Sequence, residues 1–245
     1  ARRFEVESAF EVAERPIAPP RDAFGSAHPA ELPIGAVPMQ RFATIASETL
    51  ALTVAARGSA EVEALPERDD ASSLAITLLR AVGHLSASDL ALRPGPAGPL
   101  FATPGAQVPG PFHADLSLRL HAPADPTRIA SAHGFALAPA AFAVGEGAGA
   151  TLRDGARLVE IDDPGIVVSA LEPGESGSLR LRVVEATGSP RRLVGRIPGA
   201  VQIEAVDLSG RPDGALALSV DGDRFEATLR PAQIADLVAR FSLVR

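Results

Sequence analysis

The chain has 245 residues, enough for one large or two small domains with real cores, and carries 23 basic against 30 acidic residues for a net charge of −7. All the basic residues are arginine and none cluster, which argues against nucleic acid or an anionic membrane as partner. Cysteine, tryptophan and tyrosine are absent, so disulfides and thiolate chemistry are excluded.

The opening residues, ARRFEVESAF, lack both an apolar leader and an initiator methionine, from which we expect a processed chain or a fragment. The longest apolar run, Phe135 to Val144, is too short to span a bilayer and contains Pro139. We expect a soluble protein, cytoplasmic rather than secreted.

Phe4, Val6, Ser8, Phe10 and Val12 alternate with more polar neighbours and predict one strand with a wet face. Pro16, Pro19, Pro20, Pro29, Pro33 and Pro38 then mark an extended crossing segment. Short strands come next over 41–46, 50–56 and 60–65. Leu74, Ile76 and Leu78 point one way and Ala75, Thr77 and Leu79 the other, so neither face carries charge before Arg80. That pattern predicts a central strand rather than an edge.

Gly83, Pro94, Gly95, Pro96, Gly98, Pro99, Pro104 and Gly105 make the segment after Arg80 a long stiff loop, of the kind that is more often functional than idle. Ser86 and Asp89 have the spacing to cap a helical turn inside it. Strand returns over 112–120, with Leu116, Leu118 and Leu120 on one face. A linker rich in proline and glycine occupies 122–154, with a short helix over 127–132 started by Asp125 and Pro126.

From about Gly155 short strands recur every eight to twelve residues, the pattern of a small β-sandwich. They are expected over 157–161, 166–171, 179–185, 192–197, 201–208, 216–220 and 225–229, with a hairpin at Asp221-Gly222. The last segment, 234–243, fits helix and strand equally well; we read it as strand. The fold class expected is therefore all-β, with two β-sandwich domains and few or no helices: 1–121, a linker 122–154, and 155–245.

Three linked motifs, TLLRAVGHLS, ASDLALRPGPAGP and TPGAQ, resemble in order and spacing a segment found late in bacterial α-mannosidases of glycoside hydrolase family 38. PMQRF and GSAEVEAL resemble the strands before it, and GIVVSALEP with SLRLRVVEATGSP resembles that family's C-terminal module. The resemblance implies the C-terminal, non-catalytic β portion of a retaining, zinc-dependent enzyme whose aspartate nucleophile and zinc ligands lie on an absent N-terminal barrel. This chain alone is then inactive and holds no cofactor. Its partner is that barrel, and through it an α-mannoside substrate. The LLR motif makes Arg80 the candidate substrate-binding residue, with the loop from Leu85 to Gln107 at the pocket rim; Val62 and His84 stand where the family has aromatics.

No other constellation competes. His113-Ala114-Asp115 has the spacing of a metal pair on a strand but lacks two further ligands. Asp162-Asp163, Asp221 and Asp69-Asp70 sit in turn sequences rather than as the paired carboxylates of a glycosidase. Gly145, Gly147 and Gly149 lack the strand and helix of a dinucleotide loop, and Gly174 to Gly177 lacks the spacing of a nucleophile elbow. Two rival readings remain: a stand-alone carbohydrate-binding module, disfavoured by the lack of tryptophan and tyrosine for sugar stacking, and a scaffold or assembly domain without a ligand.

Overall fold

A computed structural model describes residues 2–18, 32–58, 61–68, 71–90, 92–93, 95–141 and 155–242. It divides into two compact units, Ala1–Ser8 with Ala13–Ala124, and Ala9–Val12 with Asp125–Arg245.

The first unit is built from β1 (Arg3–Ser8), β2 (Glu11–Arg15), β3 (Val37–Pro38), β4 (Phe42–Ala46), β5 (Ala51–Arg57), β6 (Glu61–Pro66), β7 (Ser72–Ile76) and β8 (Asp115–His121). Five of them form one sheet in the order β2-β1-β4-β5-β8, and β3-β6-β7 form a second. Phe4, Val6, Ala43 and Ala56 from the wider sheet meet Val62 and Ala64 from the narrower one, with Ile45, Leu74 and Ile76 packed around them. Small and β-branched residues at every second position let two pleated faces close on each other.

Two expectations need correction. The run from Phe4 to Val12 is not one strand: it turns back at Ala9 and Phe10, and Phe10 takes a left-handed backbone (φ 65°). Alternation continues through such a turn, so periodicity cannot locate it. The apolar run before Arg80 is not a central strand either. β7 ends at Ile76 and is the last strand of its sheet, leaving Leu78 and Leu79 42% and 57% exposed. Neither face carries charge, as expected, yet Ala75 and Leu79 on the second face are exposed.

The main part of the second unit, from Asp125 on, holds α1 (Thr127–Ala136), which includes the helix expected over 127–132, then β9 (Glu160–Ile161), β10 (Ile166–Pro173), β11 (Leu179–Glu185), β12 (Arg191–Arg196), β13 (Ala200–Val206), β14 (Ser219–Asp221), β15 (Arg224–Leu229) and β16 (Ile234–Phe241). Two four-stranded antiparallel sheets, β10-β11-β16-β13 and β14-β15-β12-β9, face each other. Leu181, Val183, Leu237 and Ala239 from one interdigitate with Leu193, Phe225, Ala227 and Leu229 from the other. The last segment is a strand, paired on both sides by β11 and β13.

One glycine makes room within the sheet β14-β15-β12-β9. A Cβ on Gly195 of β12 would lie 2.5 Å from Phe225 Cζ and 2.6 Å from the Glu160 carbonyl oxygen. The turn between β14 and β15 falls at Gly222 and Asp223, with Gly222 at φ 58°. Among the described residues the fold is all-β with one α-helix, as the strand patterns imply, and no helix is long and apolar enough to cross a membrane.

Candidate functional site

The loop between β7 and β8 is organised by its own hydrogen bonds. Leu85 N donates to Phe101 O at 2.8 Å and Thr103 N to Gly83 O at 2.9 Å, so residues 82–86 run against 101–103 as an irregular ribbon. The Thr103 hydroxyl adds a bond to Val82 O at 3.1 Å. Ser86 does not cap a helical turn: it is buried, and its Oγ accepts from Ala97 N at 3.0 Å, which holds the proline-rich tip against the ribbon. A serine hydroxyl bonds backbone groups in a loop as readily as it caps a helix, and here its partner lies across the loop.

Arg80 stands at the base of this loop. Its guanidinium lies 3.5 Å from Glu61 Oε2, and the side chain is 72% exposed. Glu61 also accepts from the Thr77 hydroxyl at 2.8 Å, so one carboxylate on β6 steers both residues leaving β7. An exposed planar fork of donors held by one long ion pair remains able to engage an oxygen ligand bidentately. Leu85, Leu100, Phe101 and Val108 on the same loop are exposed by 62%, 53%, 68% and 68%. Singly such exposure is ordinary; along one loop it marks a surface for contact.

The remaining candidates resolve into structural roles. His113 is exposed in coil before β8, and Asp115 faces Arg57 at 3.5 Å. Among the described residues no group of three histidine, aspartate or glutamate side chains is placed to hold a metal ion. The described residues therefore offer zinc no fit. Asp163 Oδ1 accepts from Gly165 N at 2.8 Å, and Arg191 bonds both its oxygens at 2.9 Å, so this carboxylate builds a turn. Asp221 opposes Arg224 across the hairpin. Gly174 to Gly177 form a short 3-10 turn. His84 bridges to Ala102, and His133 lies in α1. His28, the Asp69-Asp70 pair and the glycines at 145, 147 and 149 lie outside the described residues.

Two buried polar arrangements escaped the sequence reading. On the face of the wider sheet opposite Phe4, the hydroxyls of Thr44 and Thr53 lie 2.7 Å apart, and Thr53 Oγ1 lies 2.8 Å from His121 Nε2. His121 Nδ1 is 2.8 Å from Ala122 O. A carbonyl only accepts, so Nδ1 carries a proton, and in the neutral ring Thr53 donates to Nε2 while Thr44 donates to Thr53. On the outer face of the second sandwich, Asp236 of β16 takes two bonds from Arg182, at 2.7 and 2.9 Å, and is also held by Arg180. The alternation of Arg180 and Arg182 in LRLRVV was visible, but their partner lies more than fifty residues away, and only strand order brings it opposite.

A scan of protein-family models finds no match for the chain, and neither does a search of curated proteins. Solved structures do match. An α-mannosidase from Enterococcus faecalis V583 superposes with a TM-score of 0.67 at 22% identity, covering 98% of this chain and 24% of that one. A protein in glycosyl hydrolase family 38, also from Enterococcus faecalis, superposes at 0.68 and 23% identity, covering 98% of this chain and 25% of its own. This is the fold of one portion of a family 38 chain. The likeness falls on the family that the loop motifs resemble. The chain spans about a quarter of the length of these family 38 relatives, and at this identity what they share with it is the fold.

Proposed function

We propose that this chain is the C-terminal, non-catalytic β portion of an α-mannosidase of glycoside hydrolase family 38. It packs against a catalytic barrel that carries the nucleophile and the zinc, and its β7-β8 loop shapes the rim of the mannose-binding pocket. The observation that carries this reading is the fold match over 98% of the chain to a fraction of two longer family 38 chains. The apolar residues exposed along the loop support it, because Leu85, Leu100, Phe101 and Val108 have no cover among the described residues. Arg80 supports it as well, since its exposed guanidinium suits sugar hydroxyls or a neighbouring carboxylate.

The test is hydrolysis of an aryl α-mannoside, with zinc, by the barrel polypeptide alone, by this chain alone, and by the two mixed. Activity should appear or rise sharply only on mixing. Arg80→Ala in the mixed enzyme should lower kcat/KM about tenfold or more, the loss of roughly one charge-assisted hydrogen bond at ~1.5 kcal/mol. If the two polypeptides do not associate and mixing changes nothing, the assignment fails.

A further inference from the structure

The two sheets of the first unit are unequal, five strands against three. Neighbouring strands lie about 4.8 Å apart, so the narrower sheet is short by roughly 10 Å. The shortfall is on one side. Met39, just after β3, joins the cluster of Phe4 and Val6 of β1, and β7 packs over β4; of β5 the cluster takes in Ala56 at one end, and of β8 no described residue.

Two cross-strand rows show the consequence. Phe4, Ile45, Leu52 and Leu120 are successive partners on the face that meets the narrower sheet, and so are Val6, Ala43, Val54 and Leu118. Phe4 and Ala43 are fully buried, yet Leu118 and Leu120, on the same rows, are 68% and 67% exposed. A groove of about 310 Å³ marks the step, with Ile45, Leu52 and Leu120 among its floor residues and Ala71 and Ser72 beside it where β7 begins.

The backbone beside that groove is also open. Thr77 N donates to Glu61 O, so by antiparallel alternation the N–H groups of Leu74 and Ile76 point to the free edge of β7. No described residue pairs with them. An unpaired edge above an uncovered apolar face is a template for strand addition, in which main-chain bonds give affinity and alternate side chains fill the face.

We propose that a pair of β-strands from another polypeptide segment, apolar at every second residue, adds to the free edge of β7 and covers Leu52, Leu116, Leu118 and Leu120. The segment belongs to the rest of the parent enzyme: this chain accounts for 24% and 25% of the two solved chains of its fold, which leaves ample length to supply it. In this respect the inference rests on the functional reading above and deepens it, since the two polypeptides join by completing a sandwich. A second copy pairing β8 with β8 would widen the five-stranded sheet and leave the leucine face bare.

The experiment is amide hydrogen exchange on this chain alone and mixed with the barrel polypeptide, read at Leu74 and Ile76. Exchange there should slow at least tenfold on mixing, and Leu118→Arg should weaken association at least tenfold without altering the isolated chain's thermal melt. If the two associate and activity rises while these amides are unchanged, strand addition is wrong and the functional reading stands. Slowed amides without a gain in activity leave strand addition standing and sink the functional reading. Slowing that appears in the isolated chain as its concentration rises makes a second copy the occupant and overturns the proposal. Absence of any association overturns both.

Discussion

The carboxylate of Asp236 is fully buried, with Arg180 and Arg182 each about a quarter exposed beside it. Burial pushes its pKa up, but hydrogen bonds from Arg182 and Arg180, helped by their charges, outweigh that and hold it below the usual carboxylate value. A depressed folded pKa means stabilisation that is fully present above the unfolded value of about 3.9 and is lost as the pH falls through the folded one. Asp236→Asn should therefore destabilise the chain by about 3 kcal/mol at pH 7, because two guanidiniums lose their partner. In urea melts the gap between variant and parent should narrow below about pH 3.9; a gap that stays constant would show that the carboxylate charge is not what matters. Asp207 illustrates the exposed case. Hydrogen bonds from the Ser209 hydroxyl and the Arg211 backbone, among others, lower its pKa to about 2, yet in open solvent they order a turn rather than anchor a core. At this scale the sequence was half legible. Arg80 could be singled out by its motif, while its ion-pair partner Glu61 could not, because pairing it with Arg80 requires knowing that β6 and β7 are neighbours.

Among the elements, β12 depends on what it lacks. Gly195 leaves room for both the Phe225 ring and the β9 backbone, and of the two only the ring can swing aside. Gly195→Ala should cost about 1–3 kcal/mol through overpacking, read as a lower urea midpoint with unchanged slope. An unchanged midpoint would mean that β9 moves freely and contributes little. The strands of this second sandwich were readable because each is short, alternating and closed by its own turn, so local pattern and global pairing agree. Even the ambiguous end resolved as β16, where alternation of Ala235, Leu237, Ala239 and Phe241 matches a face buried between β11 and β13. The first unit was harder for a physical reason. Absence of charge on both faces of 74–79 signals burial on both sides, and it says nothing about whether the cover lies within the same chain. β7 is an edge, and its residue pattern describes a surface meant to be covered. Likewise Ser86 offered a cap, but residues 87–90 form no helical turn, and its hydroxyl is taken by Ala97 N across the loop.

For the molecule as a whole, the two units differ in how completely they close. The second has two sheets of equal width around a continuous core, with Leu181, Leu193, Leu229 and Leu237 fully buried. The first has unequal sheets, an exposed leucine row and a loop whose large apolar side chains face water. A domain folds alone when it covers its own apolar surface. Residues 155–242 expressed by themselves should accordingly unfold in a single cooperative transition and bind little of an apolar dye such as anilinonaphthalene sulfonate. The full chain should bind the dye strongly while native, and Leu118→Arg with Leu120→Glu should remove much of that signal at a cost within about 0.5 kcal/mol, since both side chains are already mostly in water. Two sources of dye binding are separated in this way. If the short fragment binds as much dye as the full chain, the second sandwich is loosely packed and the contrast between the units does not hold. If only the full chain binds, and the double variant relieves it, the apolar surface lies on the open side of the first sandwich, where closing the sheets requires strands beyond those of the described residues.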